Sequence, residues 1–200
     1  MRKKWHYALG QVLIRWIFRI LFGLRIKGWE KVPKEGPVII APNHRSNYDP
    51  PLVGAAIPQR EVYYFAKKGL FTNKLFSWFL MSFNAFPADT ERVDMAAIRK
   101  AINILKEGKA LMMFPEGTRS KTGEFLPAQP GVGWLALKLK VPIVPVLIWG
   151  THEPMWNHFF KRTPFYIKFA DPVYPEGEPS TENGRKLSQY VLDKIKEMVE

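Results

Sequence analysis

Two stretches of this chain carry side chains whose types and spacing suit proton transfer and anion binding. The first is Pro42-Asn43-His44-Arg45-Ser46-Asn47-Tyr48-Asp49-Pro50. His44 and Asp49 sit on what reads as a loop entering a helix, so the carboxylate can fold back and accept the imidazole N–H. That fixes the tautomer and leaves the second ring nitrogen as a proton acceptor, the arrangement of a general base. No serine or cysteine nucleophile is needed if the substrate brings its own hydroxyl. Taken alone, the same spacing also fits a helix start, with Asp49 as the cap and Pro50 in the first turn. The positive end of the helix favours an ionised Asp49 in either role.

The second stretch is Phe114-Pro115-Glu116-Gly117-Thr118-Arg119-Ser120. It offers a carboxylate, a glycine that permits close backbone approach, the hydroxyls of Thr118 and Ser120, and one arginine. The planar fork of Arg119 can give a phosphate two parallel hydrogen bonds, and Glu116 can bind a substrate hydroxyl. The plain alternative is a polar turn whose arginine faces solvent.

Groups of this kind need a scaffold, and the pattern of the chain supplies one. Apolar β-like runs at Pro37–Ala41, Val62–Ala66, Ala85–Pro87, Ala110–Phe114, Ile143–Trp149 and Phe165–Phe169 alternate with helical stretches at Pro50–Ile57, Lys74–Phe83, Asp94–Lys106, Gly131–Leu139 and Gly184–Val199. The alternation predicts one α/β domain with a mixed central β-sheet flanked by helices. Both chemical stretches then fall on loops at strand ends, where such domains place their functional groups. Lys74–Phe83 (KLFSWFLMSF) is apolar on nearly every side and must be buried in protein or lipid. It reads as core, as a wall for a long acyl chain, or as both.

Ahead of this domain, Trp5–Leu24 (WHYALGQVLIRWIFRILFGL) repeats apolar residues at helical spacing, with Lys4, Gln11, Arg15 and Arg19 on the opposing stripe. Such a helix is about 30 Å long, enough to cross a bilayer. Arg15 and Arg19 would then sit near its middle, at roughly 2.5 to 3.5 kcal/mol each. Lying along an anionic interface, the same residues gain about 1 kcal/mol each. The balance predicts an amphipathic helix in the membrane interface over residues 1–27 and the α/β domain over 28–200, peripheral at the cytoplasmic face of the cell membrane. An ordinary helix packed on the domain is the alternative.

The 200 residues suffice for one domain with a buried core. With no cysteine, disulfides, thiol nucleophiles and thiolate metal sites are excluded. The net charge is +12, and residues 1–27 contribute Arg2, Lys3, Lys4, Arg15, Arg19, Arg25 and Lys27 with no acid. This excess calls for an anionic partner. Arginines interleaved with a long apolar helix face point to a membrane surface rather than nucleic acid. His152 and His158 do not make a helical metal pair, and no metal site is expected.

Together the motifs resemble the glycerolipid acyltransferase family, in its bacterial 1-acylglycerol-3-phosphate acyltransferase branch. Asn43–Asp49 is similar to its NHxxxxD motif, Phe114–Ser120 to its FPEGTRS motif, and Val141-Pro142-Ile143-Val144-Pro145-Val146 to its fourth motif. The resemblance runs from about Gly28 to Pro172. It implies transfer of a fatty acyl group from acyl-CoA or acyl carrier protein to the sn-2 hydroxyl of lysophosphatidic acid, with no cofactor and no covalent intermediate. His44 would be the base and Asp49 would orient it. Glu116, Gly117 and Thr118 would meet the glycerol backbone, and Arg119 its phosphate. Lys67 and Lys68, in a stretch AKKGLF, would lie near the phosphate or the donor.

The chain departs from the family pattern at two positions. Thr90 stands where the family carries a phosphate-binding arginine, with Arg92 two residues later, and Gln129 stands where a lysine is common. The alternatives that remain are another acceptor (a lysophospholipid, glycerol 3-phosphate or an acylated amino acid) and a non-catalytic lipid-binding protein.

Overall fold

The computed structural model describes residues 4–89, 94–153, 155–161 and 164–199. Strands β1 (Arg25–Lys27), β2 (Val38–Pro42), β3 (Val62–Lys67), β4 (Ala85–Ala88), β5 (Ala110–Met112), β6 (Ile143–Trp149) and β7 (Tyr166–Phe169) form one sheet in the order β1-β7-β6-β2-β5-β3-β4. Neighbours run parallel except β6 and β7, so the sheet is mixed. The chain is thus a single α/β domain of the expected class. Strands β2 to β6 all finish at one edge, and the loops leaving that edge carry the residues of interest.

Helices α1 (Trp5–Phe22), α2 (Asp49–Ala56), α3 (Lys74–Ser82), α4 (Met95–Lys106), α5 (Gly131–Leu139), α6 (Met155–Lys161) and α7 (Thr181–Lys196) complete the layers. Central strands covered on both faces read as unbroken apolar runs, and every residue of β2 is buried. Ile39, Ala41, Leu111 and Leu147 pack with Ile104, Leu105, Leu135 and Leu192 on one face. Val38, Ile40, Met112, Val146 and Ile148 pack with Leu52, Val53 and Phe165 on the other. Alternate residues of β2 feed different cores, as the two-residue period of a strand requires. Helices α5 and α7 cross closely because Gly133 has no side chain: a β-carbon there would come within 2.1 Å of the Gly184 carbonyl oxygen.

Several expected boundaries shift for local reasons. The last helix starts three residues early, since Ser180 Oγ caps it by accepting from Asn183 N at 3.0 Å. The run expected to end at Phe114 leaves the sheet after Met112. Two elements were not expected: β1, which lies within the stretch 1–27 assigned to the amino-terminal helix but pairs with β7 over three residues as part of the sheet, and the short α6.

Helix α1 carries apolar residues on both sides. Ile14, Phe18 and Phe22 pack on the domain, and Tyr7 and Gln11 are buried. Gln11, expected on the polar stripe, points inward instead. Its Nε2 donates to the carbonyls of Gly54 (2.8 Å), Ile57 (2.8 Å) and Arg60 (3.1 Å), at the end of α2 and in the turn that follows it, where the backbone bonds to the first two are long at 3.4 Å. Trp5, Leu9, Leu13, Trp16 and Ile20 point out to solvent. Among the described residues no helix is long and apolar enough to cross a membrane. Helix α3 has no buried residue, so its reading as core is corrected. It follows β3 at the sheet's outer end, where no layer covers it.

Candidate active site

At the end of β2 the chain must leave the sheet in a fixed direction, and Asn43 sets it. Its fully buried side chain accepts from Ile148 N (2.8 Å) and donates to Ile148 O (3.0 Å), continuing the pairing with β6 past the last strand residue. His44 follows, its ring stacked on Phe114 with centroids 3.7 Å apart and planes at 14°. The His44 carbonyl accepts from Ser120 N at 2.9 Å, which ties the two chemical loops together.

Asp49 is fully buried at the start of α2. Its Oδ2 lies 2.9 Å from His44 Nδ1 and accepts from Arg45 N (2.6 Å) and Ser46 N (2.7 Å). The carboxylate therefore reaches back into the loop rather than capping α2, whose N-cap is Tyr48 with no side-chain bond. Three donors on one oxygen hold the carboxylate rigidly. With the Nδ1 proton directed at Asp49, Nε2 of the imidazole remains as an acceptor.

The turn after β5 is built by Gly117, whose φ of +71° suits glycine and whose N–H donates to the Phe114 carbonyl at 3.0 Å. Glu116 is thereby turned inward, with only 2% of its surface exposed. Burial pushes its carboxyl up to about 7, against the opposing pull of the His44 backbone and the Arg45 guanidinium. Arg45 is itself 7% exposed and clamped between Trp149 (4.4 Å) and Phe125 (4.8 Å). Burial lowers its pKa, while Glu116 and Asp49 raise it. The Glu116 carboxyl and the Arg45 guanidinium thus lie beside the His44–Asp49 pair.

Arg119 and Thr118 are exposed on the same turn, and Arg119 Nη1 donates to Asn47 Oδ1 at 2.8 Å. Gln129 lies against the turn, since a β-carbon on Gly117 would come within 3.0 Å of its Cγ. A neutral side chain thus occupies the place where the family pattern has a lysine. Lys67 ends β3 and Lys68 opens the following 3₁₀ turn, both exposed at the same sheet edge. Arg92 and Thr90 lie outside the described residues.

A groove of about 600 Å³ opens at the loop that follows His44, lined by Arg45, Asn47, Arg119, Thr151, His152 and Trp156 among others. Two of its lining residues hold buried polar atoms without a hydrogen-bond partner, Arg45 Nε and Nη1 and Thr151 Oγ1, and the two loops behind them hold Asp49 Oδ1, Glu116 Oε2 and Ser120 Oγ. Each such atom costs about 1 to 3 kcal/mol unless something pairs with it, and those of Arg45 and Thr151 belong to a groove with room for a polar substrate. Arg45 and Thr151 were not read from the sequence. A lone arginine inside a motif and a threonine after a strand carry no distinguishing pattern until folding brings them together. A larger groove, about 1120 Å³, lies between β7 and α7. Charges there already pair, as in Lys31–Asp171 at 3.1 Å and Lys194–Glu197 at 2.8 Å, and no buried polar atom is stranded among its lining residues. Among the described residues no three His, Asp or Glu side chains cluster as metal ligands.

Residues 23–149, which span both chemical loops, match the family model described as Acyltransferase. The chain belongs to the acyltransferase family. It is 30% identical over 179 residues to the 1-acyl-sn-glycerol-3-phosphate acyltransferase of Bacillus subtilis, covering 88% of each chain. It is 36% identical over 148 residues to the enzyme of that name from Streptococcus pneumoniae, covering 72% of this chain and 53% of that longer relative. The crystal structure of the 1-acyl-sn-glycerophosphate (LPA) acyltransferase PlsC from Thermotoga maritima superposes with a TM-score of 0.75 at 31% identity, covering 96% of this chain and 79% of that one. The acyltransferase assignment therefore rests on sequence and fold together.

Proposed function

We propose that this acyltransferase moves a fatty acyl group from a thioester, acyl-CoA or acyl carrier protein, to the sn-2 hydroxyl of 1-acyl-glycerol 3-phosphate. The product is phosphatidic acid. The observation that carries the reading is the His44–Asp49 pair at 2.9 Å on a loop hydrogen-bonded to the Arg119 turn, and the likeness of the chain to 1-acyl-sn-glycerol-3-phosphate acyltransferases supports it. His44 Nε2 takes the proton of the hydroxyl as its oxygen attacks the thioester carbonyl carbon. The tetrahedral intermediate collapses by expelling the thiolate, which takes the proton back from the imidazolium. Asp49 holds the ring and stabilises its charged form. No cofactor enters this sequence.

Glu116, Gly117 and Thr118 receive the glycerol, and Arg119 takes the phosphate with help from Lys67, Lys68 and Arg92. The outward apolar residues of α1 rest in the interface of the cell membrane on its cytoplasmic face, bringing the site to a lipid substrate. The test is a panel of acceptors with one acyl thioester: lysophosphatidic acid, glycerol 3-phosphate and lysophosphatidylcholine. Lysophosphatidic acid is expected to turn over fastest, and Arg119→Ala to raise its KM sharply. Lysophosphatidylcholine brings a choline cation towards the basic residues and is expected to be poor. A preference for it would overturn the acceptor, and no turnover with any acceptor and either thioester would overturn catalysis. The neutral Gln129 against Gly117 favours the acylation of a less charged acceptor as the second reading, and the same panel decides it.

A further inference from the structure

Most of the large apolar side chains left exposed among the described residues lie on α1, on α3 with the turn before it, and on α6. On α3 and its turn they are Leu70, Leu75, Phe76, Trp78, Phe79 and Met81, with Leu75 76% and Trp78 65% exposed. Contiguous apolar surface of this kind marks an interaction site. The proposed function does not use α3, and folding leaves it uncovered.

Three observations say what covers it. First, α3 is joined to α1. The His6 ring nitrogen Nε2 lies 3.1 Å from the Ser82 carbonyl oxygen, and Lys4 Nζ donates to Asn84 Oδ1 at 3.2 Å. Phe83 packs against Tyr7 at 6.1 Å and sits over Gly10, where a β-carbon would come within 2.4 Å of its ring. The start of α1 and the end of α3 are therefore packed as neighbours. Second, the charge is of one sign. Residues 1–29 and 62–88 contain no acid, and the second segment carries Lys67, Lys68 and Lys74. Glu61, at the junction, is engaged by the Lys4 backbone N–H (2.6 Å) and by Asn84 Nδ2 (2.9 Å). A second copy of the chain would bring cations against cations, whereas an anionic leaflet complements them. Third, α3 is about 14 Å long, far short of a span, so it must lie in the plane. It leaves the same sheet edge that bears His44 and Glu116.

We infer that α3 and the turn before it are a second docking element that inserts into an anionic lipid leaflet alongside α1. This rests on the membrane reading of α1 given above. Contact at two elements fixes how the molecule is tilted on the surface, with the carboxyl edge of the sheet towards lipid.

The absence of cysteine makes the test direct. Single variants Leu75→Cys, Trp78→Cys, Trp16→Cys and Tyr190→Cys of the full chain, each labelled with an environment-sensitive fluorophore, are mixed with vesicles of phosphatidylglycerol and phosphatidylcholine. Labels at 75, 78 and 16 are expected to shift to the blue, while the label at 190, on α7, stays unchanged. Lys74→Gln is expected to lower partitioning about fivefold, and pure phosphatidylcholine vesicles to give little shift. A shift at 16 without one at 75 and 78 overturns the role of α3 and leaves that of α1 standing. No shift at any position overturns the membrane reading itself. Equal shifts on uncharged vesicles overturn the anionic requirement, and shifts that grow with protein concentration without vesicles assign the surface to a second copy. Two α3 positions are labelled so that one unstable variant does not decide the result.

Discussion

At the scale of single residues, His44 is held by a fully buried carboxylate and a stacked phenyl ring, so removing its imidazole should change chemistry rather than fold. His44→Ala is expected to lower turnover by about 10²- to 10⁴-fold while the protein stays folded with a modestly lowered melting temperature, since Asp49 Oδ2 keeps its two backbone donors, measured by thioester consumption and thermal unfolding. Asp49→Asn differs because Asp49 Oδ2 accepts three bonds and an amide cannot reproduce them all. It should lose activity and also about 1 to 3 kcal/mol of stability for each group left unpaired. Glu116 gives a pH signature. Its pKa is raised from 4.5 to about 7, so the native state holds a proton that the unfolded chain has released across that interval. That stabilisation is complete below about pH 4.5 and disappears as the pH rises through about 7. Glu116→Gln cannot ionise and is expected to melt higher than the wild type at pH 8 and close to it at pH 4.5. Parallel melting curves at both pH values would remove the buried-carboxyl account.

At the scale of elements, Gln11 and Asn43 do similar work from opposite ends of the scaffold. Each is a buried amide that satisfies main-chain groups of a neighbouring element. Gln11→Ala is expected to destabilise by about 1 to 3 kcal/mol. It should also speed hydrogen exchange at the end of α2, which mass spectrometry can read, while leaving His44 chemistry in the folded fraction unaffected. A silent substitution would show that water replaces the amide. The alternation of apolar runs made the α/β class legible, and the order of the NHxxxxD and FPEGTRS motifs made the site legible, because local pattern reports local structure. Gln11 shows where this stops: helical spacing placed it among the polar residues, and only its packing against the end of α2 reveals the three carbonyls it reaches. Helix α3 shows the same limit in reverse. Its composition said that it must be buried, but not in what. Arg45 could not be read because its meaning lies in Trp149 and Phe125, which are distant in sequence.

At the scale of the whole molecule, α1 has an inner and an outer side of different character, which decides how the membrane role proposed for it can be tested. Its inner side buries Tyr7 and Gln11 and packs Ile14, Phe18 and Phe22 on the core, while its outer side exposes Leu13, Trp16 and Ile20. Deleting residues 1–24 would strip the end of α2 and uncover Val62, to which the Tyr7 hydroxyl is bonded at 3.0 Å. Lost vesicle binding in that truncation would report damage to the fold as much as loss of an anchor. Substituting only the outer side separates the two. Trp16→Ser with Ile20→Ser removes two large apolar groups, each worth about 1.5 to 3 kcal/mol when fully transferred from water, and touches no core contact. The double variant is therefore expected to keep the wild-type melting temperature and to sediment at least tenfold less with anionic vesicles. Raising salt from 0.1 M to 1 M shortens the screening length from about 10 Å to about 3 Å and should weaken wild-type binding, since part of the attraction is charge on Arg15, Arg19 and their neighbours. Binding that survives both the double substitution and high salt would take the membrane contact away from α1 altogether and leave it a helix that belongs to the domain.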